Sequence, residues 1–112
     1  MIIIAGTITI PADKRAACLE ASAPLQLATR RDEPGCLAYI FSADPIEADQ
    51  IKVYELWEDA ATLEAHFLHA NYTDMRTLLG RSGITGADVH KYRVDAVAPV
   101  YNAQRVATAS FD

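Results

Sequence analysis

The chain reads as an α+β domain with a four-stranded antiparallel sheet covered by helices on one face. Three observations predict this: short β-rich stretches bounded by turn residues, two alanine- and leucine-rich stretches at helical spacing, and their alternation in the order β, α, β, β, α, β. At 112 residues it forms one domain, long enough to bury about two thirds of its unfolded surface without disulfides or metal. Hydrophobic residues make up 51% and charged residues 22%, an ordinary globular balance that argues against disorder.

In residues 2–10, Ile2, Ile4, Ile8 and Ile10 share one parity while Ala5, Thr7 and Thr9 share the other, so the first strand has one strongly apolar face. Pro11 ends it. With Asp13 as N-cap, the run to Arg31 reads as an amphipathic helix, and Pro24 inside it removes a hydrogen bond and predicts a kink near residues 19–23. The turn at 32–35 stops the helix. In residues 36–43, Leu37, Tyr39 and Phe41 share one face and Cys36, Ala38 and Ile40 the other; both are apolar, which predicts burial on both sides. Residues 49–58 pair with them as a hairpin, with Ile51, Val53, Glu55 and Trp57 on one parity.

Asp59 caps the next helix, whose stripe is Ala60, Leu63, Phe67 and Ala70, with a break at Asn71 and a further turn carrying Met75, Leu78 and Leu79. After a loop at 80–86, residues 87–97 form the last strand, with His90, Tyr92 and Val94 on one face. This order is the split βαβ arrangement of ferredoxin-like folds. Its uncovered sheet face is apolar, which predicts a homodimer packed sheet to sheet. The domain spans residues 1–97; the tail, 98–112, has no clear period and is expected to reach onto a partner subunit.

A net charge of -5 with the two signs interleaved excludes the basic stripe needed for nucleic acid or an anionic membrane, and leaves a small neutral or anionic molecule as partner. The first ten residues lack the pattern of a secretory signal and are too short to span a bilayer, so a cytoplasmic location is expected. Cys18 and Cys36 make neither a disulfide framework nor a zinc site. The segment 80–86 neither follows a strand nor opens a helix, so no glycine-rich seat for a nucleotide cofactor is visible.

Residues 54–72 concentrate the candidates. His66 lies at the edge of the apolar stripe, facing the sheet obliquely, where it serves either as a general base near neutral pH or as a core-edge histidine. Trp57 is either the floor of a pocket for a planar ring or plain core. Glu55 shares its parity and needs a partner once buried: His66, which it would orient, or Arg93 or Lys91 across the sheet. His66 and His69 sit three apart, but without a further ligand they make a weak metal site. His69 and Tyr72 read as pocket rim or solvated residues, Phe67 as a ring-holding residue, and Tyr39 as cavity wall or dimer seam.

The segments 33–41 and 54–67, the spacing of Tyr54, Glu55, Trp57, Leu63 and His66, and the closing strand together resemble the antibiotic biosynthesis monooxygenase domain family, over about residues 2–96. The resemblance is closest to its small quinol monooxygenases. It implies a dimeric α+β barrel that oxidises a quinol or electron-rich phenol with molecular oxygen and no flavin or metal. Haem-degrading relatives carry an asparagine on the first strand and a histidine in the second helical region. Thr7 and Arg76 stand there, and neither replaces its counterpart, so haem is not expected. The same scaffold also hosts isomerising and binding proteins, so two alternatives stay open: a small-molecule binding or isomerising protein, and a dimerisation module without chemistry.

Overall fold

Ile4 and Ile8 point to one side of β1 (Ile2–Thr9), and the rest of the fold is built against that side. In the computed structural model, which describes residues 1–112, β1 lies between β3 (Gln50–Trp57) and β4 (Gly86–Arg93), with β2 (Cys36–Ala43) outside β3. All pairings are antiparallel, giving the order β2-β3-β1-β4 of a ferredoxin-like sheet. Residues directly opposed across strands share a face. One row therefore runs Tyr39, Glu55, Ile4, Lys91 on the helix side, and its neighbour holds Trp57, Ile2 and Arg93.

Three helices cover this side: α1 (Ala12–Asp32), α2 (Ala60–Phe67) and α3 (Ala70–Arg81). Helix α1 starts one residue before the expected cap Asp13; Pro11 takes the cap position without a side-chain bond, and the helix continues through Pro24. It also protects the sheet edge. Gln26 accepts from the Phe41 N–H and donates to its carbonyl, both at 3.1 Å, and Arg30 Nε donates to the Tyr39 carbonyl at 2.8 Å. The outer backbone groups of β2 are thereby closed to another strand.

Asp59 caps α2 as expected, through a capping box with Thr62. The helix break comes at Leu68 and His69 rather than at Asn71, because the His69 imidazole accepts the Asn71 N–H at 3.0 Å and so caps α3. The last strand ends at Arg93 rather than 97. Past the Val94 N–H, which reaches the Met1 carbonyl, β1 offers it no further partner. Leu37 does not share the face of Tyr39 and Phe41, since a bulge between Cys36 and Ala38 turns it outward.

The second sheet face carries Ile3, Ala38, Ile40, Tyr54, Leu56 and Tyr92, and in the single chain Ile40, Tyr54 and Tyr92 are exposed there. The tail is more ordered than its pattern suggests. Tyr101 bridges Ala107, the Asn102 side chain accepts two backbone N–H groups, and Arg105 closes the turn at φ 61°. This hairpin arm exposes Val97, Val100, Tyr101, Val106 and Phe111.

Candidate active site

A cavity of about 610 Å3 lies between the helix-side face of β1 and β4 and the helices α2 and α3. Ile4, Ile8 and Val53 line it from the sheet, and Leu63, Met75 and Leu79 from the helices. Glu64, Arg76, His90 and Lys91 also line it and are themselves exposed, so polar side chains mark its mouth. Its interior is apolar apart from His66, Glu55 and the Tyr39 hydroxyl, the usual make-up of a small-molecule site with few, placed polar groups.

His66 is the central polar group, and it is 1% exposed rather than oblique at an edge. Its Nδ1 lies 2.8 Å from Glu33 Oε1, while Glu33 Oε2 accepts from Asn71 Nδ2 at 3.1 Å. The imidazole is boxed by rings, with centroids at 4.5 Å for Trp57, 5.4 Å for Tyr39, 5.5 Å for Tyr72 and 5.8 Å for Phe67. Burial lowers its pKa below the ordinary imidazole value, and the Glu33 carboxylate offsets this only in part. A neutral ring in this network donates from Nδ1–H to Glu33. That leaves the Nε2 lone pair, which has no partner in the chain, for the cavity His66 lines.

Glu33 reaches His66 through the turn that ends α1. Gly35 has φ 88°, a conformation L side chains rarely adopt, and a Cβ there would stand 2.4 Å from the Thr62 methyl. The Gly35 carbonyl accepts the Glu58 N–H at 2.9 Å. The turn is thus locked against the start of α2, the helix that carries His66.

Glu55 does not orient His66 and does not pair with Arg93 or Lys91. Its Oε1 accepts the Trp57 indole N–H at 3.0 Å, and its other oxygen faces the cavity without a partner. Burial pushes its carboxyl up to about 7; the indole bond opposes this and the nearby Glu33 charge adds to it. Burial likewise pushes the Tyr39 phenol far up, with Glu55 and Glu33 reinforcing it.

Trp57 is fully buried and does not line the cavity, because it stacks behind His66 and gives its N–H to Glu55. The expected floor is made by the β1 and β3 aliphatic side chains instead. His69 is also absent from the cavity, its ring being used to cap α3. Phe67, Tyr72 and Tyr39 all line it, and Phe67 and Tyr72 meet edge to face with ring centroids 5.2 Å apart. Nothing in the sequence marks Glu33 and Asn71 as site residues: Glu33 sits in a helix stop signal, and Asn71 carries only the pattern of a helix breaker. No three His, Cys, Asp or Glu side chains gather as metal ligands, and no helix is long and apolar enough to cross a membrane.

Fold and cavity together define a ferredoxin-like α+β domain with a buried, carboxylate-held histidine facing an apolar chamber. Residues 1–78 match the family model described as antibiotic biosynthesis monooxygenase, and the chain belongs to that family. The match stops short of the last strand, which the sequence resemblance had included. A solved antibiotic biosynthesis monooxygenase is 26% identical with a TM-score of 0.73, covering 88% of this chain and 100% of its own. A Deinococcus radiodurans structure, provisionally named in the same way, has a TM-score of 0.80 at 22% identity and covers 91% of this chain and 100% of its own; at that identity it supports the fold alone. An uncharacterized Synechocystis protein is 33% identical over 66 residues, 59% of this chain and 44% of the relative, so the chain spans less than half the length of that relative.

Proposed function

We propose that the protein is a homodimeric, cofactor-independent monooxygenase acting on a quinol or another electron-rich phenol. The observation that carries this is the His66 and Glu33 pair, which presents an unpartnered Nε2 to a chamber whose walls are mostly apolar. In such a site Nε2 takes the proton of a ring hydroxyl, and Glu33 stabilises the imidazolium that forms. The electron-rich anion then reduces oxygen, a carbon–oxygen bond forms, and the hydroperoxide takes the proton back from His66. Loss of water leaves one oxygen atom on the ring, so quinol and oxygen become a hydroxyquinone and water.

The protein's part is geometry and dryness: Phe67, Tyr72 and Tyr39 hold the ring, and the aliphatic walls keep water from the intermediate. Family membership and the apolar second sheet face support a homodimer, with the face around Ile40, Tyr54 and Tyr92 as the contact and the arm at 100–108 laid on the partner.

Oxygen uptake with a panel of quinols, on protein stripped of metal and flavin, tests the reading. His66→Ala is expected to lower the rate about 100-fold or more; uptake that survives removes His66 from the mechanism. Glu55 supports the second reading, because a second proton-handling group in the same chamber is what isomerisation needs. Ligand binding with no oxygen consumed selects that alternative.

A further inference from the structure

Three polar atoms on buried residues open onto the cavity without a partner in the chain: His66 Nε2, the second oxygen of Glu55 and the Tyr39 hydroxyl. The proposed chemistry uses only the first. Glu55 is 6% exposed and Tyr39 1%, and they are direct neighbours across β2 and β3. A carboxyl on a buried strand position, with one oxygen open only to a mostly apolar cavity, is met there by a proton, a water or a ligand group, and the sparse solvation favours the proton. The indole occupies Oε1, which leaves the cavity-facing oxygen to carry that proton.

We infer that Glu55, as the neutral acid, donates from this oxygen to a second oxygen on the bound ring, so that the site selects aromatic molecules bearing two oxygen functions. One function goes to His66 and the other to Glu55; the first contact rests on the function proposed above, and the second does not. The groups around Glu55 are Trp57 on its own strand, Tyr39 from β2, Lys91 on β4 beyond Ile4 in the same cross-strand row, His66 from α2 across the cavity, the charge of Glu33 from the turn after α1 and the Cys36 thiol at the start of β2. Burial and the Glu33 charge favour the acid form and the indole N–H opposes it; the balance keeps the acid populated up to about pH 7. Neutral acids held in apolar surroundings are effective donors to ligand oxygens.

The test is calorimetric titration of the full chain under argon, at about pH 6, with the three benzenediols, their monomethyl ethers and phenol. At least one diol and its ether are expected to bind about tenfold tighter than phenol, the worth of one buried hydrogen bond. Glu55→Leu brings them to the level of phenol, whereas Glu55→Gln, still a neutral donor, keeps the preference. Raising the unmodified protein to about pH 8.5 ionises Glu55, so the ether falls toward phenol while the diol, which can donate to a carboxylate, keeps its lead. Equal affinity for phenol and every diol, including no binding at all, overturns the assignment. So does a preference that survives Glu55→Leu, or an ether indifferent to pH, an arm that needs no variant to fold. The titrations contain no oxygen: a two-oxygen preference without aerobic uptake sinks the monooxygenase reading alone, and uptake without the preference sinks only this one.

Discussion

Glu33 stands just past a helix end, before proline and glycine, and nothing local separates it from an ordinary turn residue. Its partner lies 33 positions away, and no periodicity encodes such a contact. His66, by contrast, was legible, because a histidine beside an apolar stripe is either packed or functional, and Phe67 and Tyr72 were legible as aromatic wall. Trp57 misled for a physical reason: strand parity gives the face, not which residue of that face fronts the chamber. The histidine's pKa follows from two opposed causes, burial lowering it and Glu33 raising it. Glu33→Gln removes the second, so the imidazole is expected to titrate at lower pH still, readable as a shift in its ring-proton NMR curve. The same change leaves a buried pair half satisfied and is expected to destabilise the fold by roughly 1–3 kcal/mol.

At the scale of elements, the strands, α1, α2 and the Asp59 cap followed from alternation and capping chemistry, while α3 runs 12 residues where the spacing predicts only a further turn. The points that did not follow were decided by side chains answering distant or unexpected backbone groups. His69 capping α3 moved the helix break, the bulge turned Leu37 outward, and Gln26 with Arg30 closed the edge of β2. The turn at Gly35 joins two elements at once, and two substitutions separate its roles. Gly35→Ala meets both a disfavoured φ and the Thr62 side chain, and is expected to cost about 2 kcal/mol or more and to disturb the His66 resonance as Glu33 moves. Asp59→Ala removes only the cap, about 1 kcal/mol in denaturant unfolding, and leaves that resonance in place.

For the molecule as a whole, the two buried titrating groups set opposite pH slopes. Folded Glu55 keeps its proton to about 7 against an ordinary 4.5, so the native state binds more protons between those values and stability falls as pH rises through them. A shift of that size corresponds to something on the order of 3 kcal/mol. His66, lowered, acts in reverse, losing stability as pH falls below 6.5. Urea unfolding at about pH 5 and pH 8 is expected to show Glu55→Gln gaining on the unmodified chain at the higher pH. The uncovered sheet face is the surface proposed for the dimer contact, because its apolar strand positions have no helix to meet. Ile40→Glu with Tyr54→Glu, on directly paired positions, is expected to turn a sedimenting dimer into a monomer without altering the cavity side. The chain has one tryptophan, wedged between the imidazole and the acid. Its fluorescence is therefore a built-in optical gauge: an indole touching both titratable side chains should change emission when either titrates or a guest arrives, with no dye attached.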